Sequence, residues 1–265
     1  MTDVAERIRR EPPTFRAVTV ARTADLTPHL RRVTLTGPAL EGLDPGLPAA
    51  SVRVLLPSPG TAELVVPRWE GNEFLLAGGQ RPIIRTYTPR RFDAGTRELD
   101  IDVVLHPEGV AAAWATAVQP GHPAAVSGTG RGYAIDPSTT AFLLGGDETA
   151  IPAISVLLEA LPPNAQIEVL VEVGHADARL VLPSHPGATV TWLDRAAADA
   201  HGAPLAAAIG RATLDPAARV WVAGEAAAVQ RIRRHLFDER GLARSQCTVR
   251  GYWKHGRKGG ARDDS

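Results

Sequence analysis

The rhythm of hydrophobic and polar positions changes once along this chain. In the first half it has the short period of β-strands. RAVTVART (16–23) and HLRRVTLTG (29–37) are rich in β-branched residues and are separated by the turn-like ADLTP. SVRVLLP (51–57) follows a Gly/Pro-rich loop, and ELVVP (63–67), IIRTYTP (83–89) and ELDIDVVLH (98–106) come after it. In the last of these, Glu98, Asp100 and Asp102 alternate with Leu99, Ile101 and Val103, the pattern of a sheet with one wet face. Six such runs, broken often by Pro and Gly, predict a small antiparallel β-barrel. GVAAAWATAV (109–118) interrupts them with a short helix-like segment.

Past Pro137 the pattern becomes strand–helix alternation. AFLLGGDETAIPAISVLLEAL (141–161) reads as an apolar strand, a Gly-Gly turn and an amphipathic helix. AQIEVLVEVG (165–174), ATVTWLDR (188–195) and ARVWVAGEAAAVQRIRRHLFDERG (218–241) continue with apolar strands, two of which lead to helical segments. Strands alternating with helices predict a parallel, doubly wound α/β sheet. The division falls in IDPSTT (135–140), giving a β-barrel domain over 1–136 and an α/β domain with a C-terminal tail over 137–265. That pairing points to two cofactors or substrates meeting at a cleft between the domains.

Composition narrows the partners. The 265 residues suffice for one large or two ordinary domains with a sizeable core. Lys plus Arg and Asp plus Glu both total 29, so bulk charge favours neither nucleic acid nor a membrane surface. Cys247 is the single cysteine, which excludes an internal disulfide, a Cys-ligated zinc and a Cys-bound iron–sulfur cluster; it reads as a small residue near a strand. The start MTDVAERIRREPP is charged and lacks the apolar core of a secretory signal, and no run approaches the length of a membrane span. A soluble cytoplasmic protein without membrane insertion is expected. The eight histidines show no HxxxH or HExxH spacing, so no protein-ligated metal is expected either.

Against this neutral background RPIIRTYTPRRFD (81–93) stands out, with four arginines beside a strand-like segment. It points to an anionic ligand. In GGDETAIPA (145–153) the glycines allow a sharp turn, and Thr149 with the following helix start suits a pyrophosphate. Asp147 and Glu148 put negative charge at the same place, and an ordinary strand-to-helix turn with acidic capping residues explains the motif equally well. In WVAGEAAAVQRIRRHL, Gly224 breaks a strand and Glu225 opens a helix. Glu225 either faces the nicotinamide side of a dinucleotide or satisfies the dipole of its own helix.

Six motifs in order, IIRTYTPRRFD, VVLHPEG…WA, GGDETAIPA, VTWLDR, VAGEAAAVQRIRRHL and GYWKHG, resemble the siderophore-interacting proteins. These are FAD-dependent ferric-siderophore reductases of the ferredoxin-reductase-like superfamily, and the resemblance runs from about Phe15 to Gly256. It implies that Arg85, Tyr87 and Thr88 form the Arg-x-Tyr-Thr flavin motif. Arg85 would pair with the FAD pyrophosphate by forked donation, Tyr87 would pack on the flavin or its ribityl chain, and Thr88 would bond the isoalloxazine edge. LHPEGVAAAW matches the second flavin segment: His106 lies near the adenosine, the backbone of Gly109, Val110, Ala111 and Ala112 faces the phosphates, and Trp114 completes the segment. The chain departs from the family pattern at Val110, where proline is usual, and at His122, where aspartate is.

For the nicotinamide nucleotide the resemblance implies one wall of Gly146, Asp147, Glu148, Thr149 and Ala150 and an opposite wall of Gly224 and Glu225. Arg195 is the candidate contact to a ribose 2′-phosphate or else a member of a surface salt bridge, with His175 and Arg179 as further candidates, and NADPH, NADH or a reduced ferredoxin stays open as the donor. Tyr252 and Trp253 cover the flavin or close the cleft, or else pack as part of a terminal strand. From Arg250 to Arg262 there are five Lys/Arg residues and no acid, a basic rim suited to an anionic ferric siderophore. Lys254 leads the candidates there, followed by His255, Arg257 and Lys258. The implied activity is hydride transfer from NAD(P)H to FAD, then single-electron transfer to chelated Fe(III), releasing Fe(II) from the siderophore, by a monomer and without a protein nucleophile. Two alternatives stand beside it: a general flavin or quinone reductase on the same scaffold, and a non-catalytic siderophore-binding protein.

Overall fold

A computed structural model describes residues 13–71, 73–107 and 109–256. In the first half, the β-branched runs form β1 (Phe15–Thr27), β2 (Leu30–Thr36), β3 (Val52–Leu56), the short pair β4 (Arg68–Trp69) and β5 (Phe74–Leu75), β6 (Ile83–Tyr87), β7 (Pro89–Asp93) and β8 (Glu98–Val104). Helix α1 (Val110–Ala117) and β9 (Pro123–Ser127) follow. Seven strands make one sheet in the order β6-β3-β9-β1-β2-β8-β7, every neighbouring pair antiparallel. The two edge strands, β6 and β7, are joined only by Thr88, so the sheet must curl until its edges meet. The alternating residues Val18, Val20, Val33, Leu35, Leu99 and Ile101 fill the barrel that results.

Three local expectations need correction. ADLTP is not a turn: β1 runs on to Thr27, and only Pro28 and His29 turn the chain, with Asp25 opposite Arg31 across the ladder. ELVVP is not a strand; Val65 and Val66 are more than half exposed, at 55% and 59%, because no strand among the described residues covers them. The acidic face of β8 is not wet. Asp100 accepts a hydrogen bond from the Thr34 hydroxyl at 2.6 Å, and Asp102 takes a forked pair from Arg32 at 2.7 and 2.9 Å. Both carboxylates are buried, since cross-strand partners on β2 satisfy them.

The second half contains β10 (Ala141–Asp147), α2 (Ile151–Ala160), β11 (Gln166–Val173), β12 (Ala188–Asp194), α3 (Ala203–Arg211), β13 (Arg219–Glu225), α4 (Ala226–Arg234) and β14 (Cys247–Trp253). The five strands lie parallel in the order β12-β11-β10-β13-β14. Leu144 and Trp221 face one core with Ile154 and Leu157 of α2, while Leu143 and Val222 face another with Ile209 of α3 and Ile232 of α4. Burial on both faces is why these strands read as unbroken apolar runs. Strand order reverses at β10 and β13, which opens a crevice at their carboxyl ends. Helix α2 also packs on the barrel, where Leu30 joins its core and Arg90 of β7 makes a forked ion pair with Glu159 at 2.7 and 2.9 Å. Cys247 is half-buried at the start of β14, and burial pushes its thiol up to about 11, away from the thiolate form. Among the described residues no helix is long and apolar enough to cross a membrane.

Candidate functional site

On the barrel side, the arginines of 81–93 divide by their partners. Arg81 pairs with Glu73 at 2.7 Å, Arg90 with Glu159, and Arg91 with Asp93 at 3.5 Å. Arg85 is half-buried on β6 and donates only to the carbonyl of its neighbour Ile84, at 2.9 Å; no carboxylate meets it among the described residues. Two positions on, Tyr87 packs against the barrel core, and burial pushes its phenol well up despite the pull of the Arg85 charge. Thr88 is buried at the seam between β6 and β7.

The second flavin segment follows β8. Gly109 leaves room for the His106 ring, which lies over the backbone where a Cβ would stand 2.4 Å away. Gly109 is also the N-cap of α1 and brings no side chain to cap it. The first-turn amides of Val110, Ala111 and Ala112 therefore have no acceptor among the described residues, and no described carboxylate compensates the positive end of the helix dipole. Trp114 shares the barrel core with Tyr87. An unpaired half-buried guanidinium and an uncapped helix start both suit a phosphate-bearing group such as FAD.

On the sheet side, the Gly-Gly turn is a correction. Gly145 and Gly146 lie inside β10, opposite Leu170 and Val171 on one side and Val222 and Ala223 on the other. Gly146 is a glycine for clearance: a Cβ there would be 2.3 Å from the Ala150 Cβ and 2.8 Å from the Ala223 carbonyl oxygen. Gly224 does not break its strand either. It pairs with Gly251 within β13, the register of the ladder shifts between it and the last strand residue Glu225, and at φ 155° a Cβ there would stand 2.7 Å from Asp147 Oδ2.

That aspartate organises the crevice. Asp147 Oδ1 accepts from the Thr149 amide at 3.0 Å and its hydroxyl at 2.5 Å, capping the 3-10 turn Glu148–Ala150. Oδ2 accepts from the Glu225 amide at 2.9 Å and from Trp253 Nε1 at 2.8 Å. One carboxylate thus ties together the ends of β10, β13 and β14. Burial pushes its carboxyl above the ordinary range, while the four donated hydrogen bonds pull it down. The Thr149 amide expected to face a pyrophosphate is already satisfied, and a carboxylate fills that place. Glu225 caps α4 through the Ala228 amide at 2.9 Å and accepts from the His255 amide at 3.3 Å.

Around this tie stand residues the sequence reading overlooked. Glu172, at the end of β11, is buried and caps α3 through the amides of Gly202 and Leu205, at 2.7 and 3.1 Å. Arg195 Nε lies 3.7 Å from Glu172 Oε1. His201 meets Trp253 edge-to-face with ring centres 4.9 Å apart and lies 4.8 Å from the His255 ring. Burial, then the charges of Arg195 and His255, push the His201 pKa down. Trp253 therefore contacts the Asp147–His201–His255 group, while Arg85, Tyr87 and Trp114 form the barrel side. Arg179 pairs with Asp194 at 2.6 Å, and Lys254 is exposed with no ion pair among the described residues. Arg257 and Lys258 lie outside the described residues.

Comparison with known proteins agrees with this layout. The family described as siderophore-interacting FAD-binding domain matches residues 19–132, and that described as siderophore-interacting protein matches residues 139–256. The crystal structure of a siderophore utilization protein from T. fusca superposes with a TM-score of 0.82 at 36% identity, covering 94% of this chain and 96% of that one. Ferric vibriobactin reductase ViuB of Vibrio cholerae is 32% identical over 247 residues, 91% of this chain and 90% of its own. The ferredoxin reductase of carbazole 1,9a-dioxygenase, at 13% identity and a TM-score of 0.65 over 91% of this chain and 70% of that one, shares the fold. An antiparallel FAD-binding barrel followed by a parallel five-stranded α/β sheet is the ferredoxin-reductase-like architecture, and within it this chain belongs to the siderophore-interacting protein family.

Proposed function

We propose that this FAD-dependent oxidoreductase is an NAD(P)H-dependent ferric-siderophore reductase, working as a cytoplasmic monomer with its flavin-binding part in 1–136 and its nicotinamide-binding part in 137–265. The observation that carries this reading is Arg85, the one arginine of its cluster without a carboxylate among the described residues. Its charge is available to a ligand, and a planar fork suits a pyrophosphate. Bound FAD supplies the redox chemistry, accepting hydride from NADPH or NADH and passing single electrons to chelated Fe(III), which a siderophore holds far more weakly once reduced.

The chain's own residues bind and orient. Arg85 and the amides of Val110, Ala111 and Ala112 hold the FAD phosphates, with Gly109 giving them access and His106 on the adenosine side. Tyr87, Thr88 and Trp114 take the flavin, and Trp253, fixed by Asp147, covers it from the sheet side. Gly146, Glu148, Thr149, Ala150, Gly224 and Glu225 line the nicotinamide crevice, with Arg195 placed for a 2′-phosphate. Lys254, His255 and Arg257 draw in the anionic chelate.

The test is anaerobic stopped-flow. Flavin-loaded protein is reduced with NADH or NADPH and mixed with several ferric chelates while a ferrous trap reports product. Return of the oxidised-flavin absorbance together with trapped Fe(II) is expected. Reduced flavin that ferric chelates leave unoxidised refutes the proposal, and reoxidation by quinones alone indicates a general reductase. A purified protein that takes up no flavin indicates a binding protein.

A further inference from the structure

We propose that His29, His175 and Asp177 form a binding site for a divalent transition-metal cation between the barrel and the α/β domain. The proposal does not depend on the reductase reading. His29 stands in the turn between β1 and β2, and the other two follow β11, so His29 and Asp177 are 148 positions apart in sequence. No spacing rule could pair them, yet in the fold one ligand atom from each residue lies within 4.8 Å of the others. The two imidazoles stack with centres 4.5 Å apart and planes 3° from parallel, and His29 Nε2 is 2.9 Å from Asp177 Oδ1.

Backbone contacts hold the set in place. The His29 carbonyl accepts from the Leu105 amide at 2.8 Å, and the His29 amide donates to Thr27 Oγ1 at 3.1 Å. The His175 carbonyl accepts from the Ala178 amide at 3.0 Å, which closes the 3-10 turn Ala176–Ala178 and fixes His175 and Asp177 relative to each other. The Gly174 amide donates to Glu148 Oε1 at 2.6 Å, which anchors the start of the segment that carries His175. Metal–ligand bonds of about 2.0–2.2 Å require the three atoms to draw closer, and because stacked imidazoles point their in-plane lone pairs along parallel lines, the exposed His175 ring must turn out of the stack, with Asp177 rotating beside it, for the donors to converge.

The donor set decides the class of ion. Two imidazole nitrogens and one carboxylate oxygen suit Zn²⁺, Fe²⁺, Co²⁺ or Ni²⁺, whereas Mg²⁺ and Ca²⁺ prefer oxygen alone. Three protein ligands leave coordination positions open, so the site is of the exchangeable kind and not a closed structural centre.

Zn²⁺ is the probe, titrated calorimetrically into tag-free, FAD-loaded protein in the presence of excess Mg²⁺. One equivalent is expected to bind and to raise the melting temperature, because the ion engages both domains of the native state only. His175→Ala and Asp177→Asn, both at exposed positions, should each weaken that equivalent at least about tenfold and abolish the melting shift. His29→Ala should do the same, and the two exposed variants keep the test valid if it loosens the fold. Absence of binding, binding that both exposed variants leave unchanged, or displacement of Zn²⁺ by Mg²⁺ would overturn the proposal.

Discussion

Replacing Asp147 tests the tie that closes the carboxyl end of the parallel sheet. In Asp147→Ala the Glu225 amide and Trp253 Nε1 lose their acceptor, at sites reached from three different strands. Each buried donor left unsatisfied costs about 1–3 kcal/mol. Loss of the cap on the Thr149 amide adds about 1 kcal/mol. Relief of the buried carboxylate's desolvation works in the opposite direction. The net expectation is a loss of about 3–4 kcal/mol, a large part of the ~5–15 kcal/mol typical of a folded domain. Asp147→Asn keeps the shape and removes the charge, but its amide can accept at only one of the two oxygen positions, so it should cost about half as much. Urea unfolding followed by circular dichroism measures both variants, with a lower midpoint and an unchanged slope as the expected pattern. Trp253 emission should also change, since the indole loses its acceptor. An Asp147→Ala protein within about 1 kcal/mol of wild type, or an Asp147→Asn protein more stable than wild type, would show that desolvation outweighs the tie and refute the reasoning.

Other expectations concern single groups. Arg85→Ala should lower FAD affinity roughly 10- to 150-fold, the equivalent of about 1.5–3 kcal/mol for a hydrogen bond to a charged group, and leave the flavin-free melting temperature nearly unchanged. Full flavin retention after desalting would remove Arg85 from the phosphate site. Asp102→Ala strands the Arg32 guanidinium on β2; because Arg32 keeps 27% exposure, the expected loss is about 2 kcal/mol, the low side for a buried pair, and an unchanged urea midpoint would contradict it. His201 has a folded pKa below its ordinary 6.5. As pH falls through 6.5 the unfolded chain takes up this proton before the folded one does, so acidification should lower stability. His201→Gln should flatten the fall in urea midpoint below that pH, and an identical slope in both proteins would place the effect elsewhere.

Much of the fold was legible in the chain because it depends on short-range order. Alternating β-branched residues encode strands whatever they pair with, and AFLL reads as an apolar strand because both of its faces are covered. The misreadings share one cause. Val65 and Val66 have strand propensity and no partner strand, whereas Asp100 and Asp102 look solvated until Thr34 and Arg32 on a neighbouring strand are known. Gly145 and Gly146 look like a turn because glycine marks both turns and close approaches, and only the Ala150 and Ala223 atoms nearby distinguish the two. His201 and Glu172 carried no local signal, since their significance lies in neighbours supplied by other segments.

The chain by itself determined the succession of a barrel and a doubly wound sheet, the Arg-x-Tyr-Thr segment, and the family to which six ordered motifs point. Only the tertiary structure decided which charges are free. The motif already singles out Arg85 among the four arginines of its stretch, but only the fold shows that Glu73 pairs with Arg81, Glu159 of α2 with Arg90 and Asp93 with Arg91, while no carboxylate among the described residues meets Arg85. The same holds for Asp147: the chain left it either beside an anion or capping its own turn, and the fold decides for the cap, with further bonds to donors at the ends of β13 and β14. Backbone periodicity is written in adjacent residues, whereas the counter-ion of a charge and the acceptor of a donor come from whichever segment the fold brings within about 3 Å.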